Sequence, residues 1–247
     1  MIHFKNICKA FGANAVLSHV SFDVQDREVL FIIGVSGVGK SVLIKHLVGL
    51  LYPDAGQIWL DGEEVSTKNE HEMYAVRKRC AMVFQHSTLF DSMTCVENVA
   101  LPLRKHKGLS MKDALSEARN RLGIVHMQEF GDRYPSELGD GMRKRVAIAR
   151  ALTLDPRYVL FDEPTTSLDP ISARRVDNLI RELSDRLGVT SIVVSHDLRS
   201  IFSIADRIVM LHNGRVRLIG SREAFESSPD GVVQQFIRGR AIGEMDL

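Results

Sequence analysis

Gly34-Val35-Ser36-Gly37-Val38-Gly39-Lys40-Ser41 is the stretch on which the fold turns. It satisfies GxxxxGK[ST], and the residues around it supply the setting that the pattern needs. Before it, Val29-Leu30-Phe31-Ile32-Ile33 is a short apolar run rich in β-branched residues, which predicts a buried parallel strand. After it, Val42, Leu43, Leu47, Leu50 and Leu51 form an apolar stripe that predicts a helix from Lys40 to about Leu51, stopping before Pro53 and Gly56. A strand, a glycine-rich turn and a helix in that order make a cradle for phosphate. Gly34, Gly37 and Gly39 let the backbone wrap an anion, with the N–H groups of the loop, Ser36 and Val38 among them, turned inward. Lys40 reaches β- and γ-phosphates, and Ser41 offers a hydroxyl to Mg²⁺.

Further along, Tyr158-Val159-Leu160-Phe161-Asp162-Glu163 reads as an apolar strand ending in two carboxylates. Alone, such a pair is often only the solvated end of a strand. Beside a phosphate loop it acquires chemistry: Asp162 suits an indirect or water-mediated hold on Mg²⁺, and Glu163 suits a general base or water-positioner for attack on the γ-phosphate.

Composition limits the classes open to the chain. In 247 residues, Lys+Arg number 32 and Asp+Glu 31, so no basic field argues for nucleic acid and no acidic block for a solvating tail. The three cysteines, Cys8, Cys80 and Cys95, form no CxxC pair, which argues against a disulfide framework or a zinc site and fits a reducing cytoplasm. No secretion signal is evident, and the longest uninterrupted apolar run is the five residues 29–33, far short of the roughly 20 that span a bilayer as a helix.

Strand-like alternation (Ile2, Phe4, Val20, Phe22, Val24) opens the chain. Strand signals return at 158–161, 191–194 and 208–211, and after the turn His212-Asn213-Gly214 at 216–219. Between about Gln85 and Asp155 charged helical segments such as 111–122 and 142–152 replace the apolar strands, and predict an inserted helical lobe. Strand and helix in alternation imply an α/β fold with a mainly parallel, helix-covered sheet. The last segment holds a helix-like stretch over 232–238 and then a frayed tail.

These motifs, in this order, resemble the ABC ATPases over almost the whole chain. The resemblance implies one ABC ATPase domain over 1–247: a P-loop NTPase core with an antiparallel β part (1–84 and 158–219), a helical subdomain (85–157) and a C-terminal extension (220–247). Gln85 falls where that family has a glutamine that touches Mg²⁺ and the attacking water and links the site to a membrane partner. Asp169, in Ser167-Leu168-Asp169, matches the loop after the carboxylate strand, and His196 matches the histidine that contacts the γ-phosphate. Phe11 falls where the family stacks an aromatic on adenine. Lys40, Gln85, Glu163 and His196 are the implied catalytic residues, and Ser41, Gln85 and Asp162 the implied Mg²⁺ residues.

Ser136-Glu137-Leu138-Gly139-Asp140-Gly141-Met142 lies where the family's signature, usually LSGGQ, precedes a helix. In that family Leu138, Gly139, Asp140 and Gly141 would close over the ATP held by the other copy of a homodimer. Gly139 stands in place of the usual serine and Asp140 in place of a glycine, so a carboxylate is expected facing a phosphate. A unit charge about 4 Å from another costs about 1 to 4 kcal/mol at effective dielectrics between water's and about 20, and slower hydrolysis, or a greater need for the membrane partner, is expected.

Met142, the continuation Ser41-Val42-Leu43-Ile44-Lys45-His46-Leu47, and the ending Ser228-Pro229-Asp230-Gly231-Val232-Val233-Gln234-Gln235-Phe236 resemble the ATPase subunit of Mla-type phospholipid transporters. That resemblance implies an integral membrane permease as partner, lipid-binding accessory subunits, a small regulatory protein at the tail, and a peripheral place on the cytoplasmic side of the bacterial inner membrane. The 87–103 stretch, with Leu89, Phe90, Met93, Val96 and Val99, is expected to present a groove for a permease helix, and the tail helix to fold back on its own domain or reach a neighbour. A different ABC importer, exporter or cell-division ATPase, and a nucleotide-gated dimer that no longer hydrolyses, stay open at this point.

Overall fold

The computed structural model describes residues 1–240 and 242–243. Strands β1 (Ile2–Phe11) and β2 (Asn14–Val24) precede β3 (Val29–Ile33), which is buried along its whole length. Alternate side chains of a strand point to opposite faces, so a run buried throughout needs cover on both sides. Leu30 and Ile32 pack into one core with Phe4, Val20 and Leu43, and Val29, Phe31 and Ile33 into another with Val99, Val146 and Ile180.

Next come α1 (Lys40–Leu47), β4 (Ala55–Leu60), β5 (Glu63–Glu64), α2 (Glu70–Arg79) and β6 (Cys80–Val83). The helix α1 is shorter than the apolar stripe implies. Gly49, at φ 65°, takes the left-handed conformation, and the Leu50 and Gly49 amides donate back to the carbonyls of Lys45 and His46. Those two bonds close the helix a full turn before Pro53. The helix α2 goes unanticipated: its polar sequence has little apolar periodicity, and its start depends on a reciprocal cap between Asn69 and Glu72.

Three helices, α3 (Cys95–Lys107), α4 (Met111–Ile124) and α5 (Asp140–Ala151), lie between β6 and β7 (Tyr158–Asp162). After β7 follow α6 (Pro170–Leu187), β8 (Thr190–Val194), α7 (Leu198–Ile204), β9 (Arg207–His212), β10 (Arg215–Gly220), α8 (Arg222–Glu226) and α9 (Gly231–Ile237). The larger sheet has the order β10-β9-β3-β8-β7-β6, parallel except for β10. A second, antiparallel sheet has the order β2-β1-β4-β5.

The expected groove is revised, and of the two courses open to the tail helix the first is found. Val96 and Val99 do not face a partner groove: they are buried in the protein's own core, with Leu89 packed against it, and of the apolar side chains expected to line that groove Phe90 is the one left half exposed. The tail helix begins at Gly231, capped by Asp230, and folds back so that Val232 and Val233 are buried. The frayed tail expected after residue 238 falls in part on residues 241 and 244–247, which lie outside the described residues.

Candidate functional site

Parallel pairing brings three strand ends to one edge. Ile32 of β3 pairs with Val194 of β8, and Asp162 of β7 pairs with the same Val194. Gly34, Glu163 and His196, each just beyond its strand, therefore emerge together at the carboxyl edge of the sheet, where open α/β sheets bind ligands.

At that edge the glycine loop wraps toward the start of α1. Gly34 has φ 145°, and a Cβ there would stand 2.4 Å from the Leu211 carbonyl oxygen. Gly39 is the N-cap of α1 at φ 104°, a conformation that side-chain-bearing residues rarely adopt, and a Cβ there would crowd Leu17 at 2.7 Å and the Val16 carbonyl oxygen at 3.1 Å. No side chain caps the first turn of α1, so its N–H groups stay available to an anion. Lys40 is buried, and its ammonium donates to the carbonyls of Gly34 (2.8 Å) and Val35 (3.0 Å). Burial pulls the Lys40 ammonium below its usual range, while Glu163 and Asp162 oppose the shift.

Ser41 donates its hydroxyl hydrogen to Asp162 Oδ1 at 2.5 Å. Glu163 sits at φ 49°, a left-handed conformation uncommon for a residue with a side chain, held by its amide bond to the Val194 carbonyl at 3.0 Å. Strain of this kind turns the Glu163 side chain out of register with the strand. Its carboxylate meets His196 Nδ1 at 3.0 and 3.1 Å from its two oxygens, and accepts from the Thr166 hydroxyl at 2.9 Å. Ser36, Gly37, Gly39, Lys40, Ser41, Gln85, Glu163 and His196 line one cavity.

Leu138, Gly139, Asp140, Gly141 and Asp169 are not brought to that cavity. Gly139, Asp140, Gly141 and Asp169 line a separate one with Met142, Ser167, Ser172 and Arg175. Leu138 is buried and lines neither cavity. Asp169 Oδ1 accepts from the amides of Ile171 and Ser172 and so caps α6; the Ser172 hydroxyl, with that capping, holds its carboxyl below the usual carboxylate range. Phe11 is 48% exposed at the end of β1, outside both cavities, with the Lys9 ammonium 5.6 Å above its ring.

The carboxylate of Asp140 is not bare. Arg143, one helical turn on, bonds to it and also donates to the Leu138 carbonyl at 2.8 Å. The repulsion expected between Asp140 and a phosphate is therefore offset in advance by a neighbouring cation. Arg143 escapes a reading of the sequence motif by motif, although an Asp and an Arg three residues apart at a helix start is a legible pairing signal. Thr166 and Lys144 are likewise missed.

Residues 17–166 match the family described as "ABC transporter". The chain belongs to the ABC transporter family. It is 37% identical over 243 residues to the "Intermembrane phospholipid transport system ATP-binding protein MlaF" of Escherichia coli strain K12, covering 98% of this chain and 90% of that one. It is 34% identical over 246 residues to the "Probable ribonucleotide transport ATP-binding protein mkl" of Mycobacterium leprae, covering all of this chain and 71% of that one. Among solved structures, the ABC cassette MJ0796, a dimer in a post-hydrolysis state with ADP and Pi, matches with a TM-score of 0.81 and 30% identity over 90% of this chain and 98% of its own. The cbiO1 protein of Clostridium perfringens, part of the ABC transporter complex cbiONQ, matches with a TM-score of 0.84 and 26% identity over 97% of this chain and 95% of its own.

This ABC protein is thus an ATP-binding, ATP-hydrolysing subunit homologous to MlaF, with the ABC cassette fold. Among the described residues no helix is long and apolar enough to cross a membrane.

Proposed function

We propose that this ABC subunit powers a permease that moves phospholipid between bacterial membranes, working as a homodimer on the cytoplasmic face of the inner membrane. The observation that carries this reading is near-full-length similarity to an intermembrane phospholipid transport ATPase, joined to a site divided between two separate cavities. The second cavity shares no lining residue with that of the phosphate loop, and suits the nucleotide of a partner copy.

ATP lies with its phosphates on the 34–41 loop and its adenine against Phe11. Lys40 leaves the loop carbonyls for the β- and γ-phosphates. The hydroxyl of Ser41 and the carboxylate of Asp162 are hard oxygen donors in contact with each other, a pair suited to Mg²⁺, with Gln85 completing the set. Bound there, the ion neutralises phosphate charge. Glu163 orients water for in-line attack and takes its proton, and His196 holds Glu163 while facing the γ-phosphate. Gly139 and Gly141 present the amides at the start of α5 to the partner's nucleotide, and Asp169 keeps the adjoining loop in shape.

A cleft between α2, β6, α3 and α5, lined by Arg77, Met82, Phe84, Pro102, Ala147 and Leu154, suits a short permease helix. Lipid-binding accessory subunits and a small regulatory protein complete the assembly. The test is ATP-driven transfer of labelled phospholipid between vesicles by the chain reconstituted with its permease. Transfer that stops in Glu163→Gln supports the reading; ATP-driven ribonucleotide uptake without lipid transfer replaces it.

A further inference from the structure

Two basic side chains of α5 hold the loop that carries Gln85. Lys144 is 2% exposed, and its ammonium donates to the carbonyls of Phe84 at 3.0 Å and Gln85 at 2.5 Å. Further along the same helix, Arg150 donates to the carbonyl and hydroxyl of Thr88, both at 3.0 Å, and to the Ser87 carbonyl at 3.4 Å. Thr88 is itself at φ 48°, so the loop is bent where Arg150 grips it. The carbonyls of Phe84, Gln85, Ser87 and Thr88 are thus all bonded to one helix. A loop leaving a strand edge ordinarily satisfies its carbonyls with water or within its own turns.

A buried ammonium is costly to keep, and uncharged side chains would pack in the same space. Here the carboxylates of Asp162 and Asp140 attract it, and the two loop carbonyls take its hydrogens. The helix that bears Lys144 begins at Asp140, inside the segment that faces the partner's nucleotide. Gln85 lines the cavity of Lys40 and Glu163, and it also lines the cavity of Asp140 and Arg143. The loop therefore stands where the two half-sites adjoin, fastened to the helix that begins the second one.

We infer that Lys144 is a positioning residue for Gln85: it ties the Gln85 backbone to α5, so that closure of residues 138–142 on the partner's nucleotide and entry of Gln85 into its own phosphate site are one motion. Arg150 fastens the far end of the loop to the same helix. This inference rests on the role proposed for Gln85, and its test separates the two.

The experiment is a double-mutant cycle on the full-length chain, with kcat and KM for Mg-ATP measured for wild type, Lys144→Met, Lys144→Arg, Gln85→Ala and Lys144→Met/Gln85→Ala. Misplacing an orienting group by about 1 Å costs up to about 10²-fold, so Lys144→Met should lower kcat by about tenfold or more. KM should stay within about twofold, because ATP binding does not depend on the tie. The guanidinium of Lys144→Arg can donate to both carbonyls and should restore about half the activity or more. In the Gln85→Ala background, Lys144→Met should cost nothing further. A full additional loss there, or unchanged kcat in Lys144→Met, overturns the inference. Hydrogen exchange provides the second readout: amides of 84–91 should exchange faster in Lys144→Met, and unchanged exchange overturns the tie itself. Faster exchange combined with a Gln85→Ala enzyme of normal activity would instead remove the role given to Gln85.

Discussion

Ser41 and Asp162 lie 121 residues apart in sequence, and the hydroxyl of one donates to the carboxylate of the other at 2.5 Å. The strand order places them so: β3 and β7 flank β8 on either side, and their carboxyl ends deliver the start of α1 and the end of β7 to one point. Ser41→Ala removes a hard donor and should lower the Mg²⁺ dependence of ATP binding together with kcat, by about tenfold or more. Titration of activity against Mg²⁺ checks this, and a wild-type Mg²⁺ profile would contradict it.

Glu163 and His196 form a second pair, with Thr166 on the remaining lone pairs of the carboxylate. Glu163→Gln should bind ATP as wild type does while kcat falls by about 10² or more, within the range for loss of a positioned base. His196→Ala should lower kcat less, since Thr166 still holds Glu163. Binding by calorimetry and single-turnover hydrolysis separate the two effects.

The Asp140–Arg143 pair makes a prediction opposite to that of Asp140 alone. Arg143→Ala leaves a bare carboxylate toward the partner's phosphates, a penalty of about 1 to 4 kcal/mol by simple electrostatics. Steady-state ATPase should therefore drop in Arg143→Ala and recover in Asp140→Ala/Arg143→Ala. Equal losses in both variants would show that Arg143 acts by some other route.

Much of this was legible in the residues themselves. Gly34 to Ser41 and Tyr158 to Glu163 locate the phosphate edge, because their chemistry depends on local spacing that the fold preserves. The pairing of Asp140 with Arg143 and the grip of Lys144 on the Gln85 loop were not read. The first is a local signal overlooked beside a departure from a pattern; the second is a contact across about sixty positions that no periodicity encodes. The apolar stripe carries the predicted α1 on to Leu51, whereas the left-handed conformation of Gly49 ends the helix earlier. Val96 and Val99 are not placed by their apolar spacing, because an apolar helix face does not say which surface covers it.

Asp177 supplies a pH dependence of stability. Burial raises its carboxyl to about 6, against the opposing Ser200 hydroxyl and Arg174, with Asp197 adding to the rise. The native state then binds a proton that the unfolded chain, at about 3.9, does not hold in the window between these values. That contribution to stability is greatest below the window and is lost as pH rises through about 6. Asp177→Asn keeps an acceptor for Ser200, and should raise unfolding stability at pH 7.5 by about 1 to 3 kcal/mol, with the gain shrinking towards pH 4.5. Urea melts at the two values check it, and a destabilised variant at pH 7.5 would contradict it.

The central claim is that each nucleotide site is completed by the other copy, and mixing two inactive variants tests it most directly. Lys40→Ala removes the phosphate ligand, whereas Gly139→Glu places a bulky acid where a Cβ meets nothing within 4 Å in the single chain, so this variant should fold yet obstruct the partner's site. Each variant alone should show almost no ATPase activity. Mixed, they form heterodimers with one intact site, and activity should return to a substantial fraction of wild type, about a quarter for random pairing with independent sites. A mixture as silent as its components, with heterodimers demonstrably formed, would contradict the account.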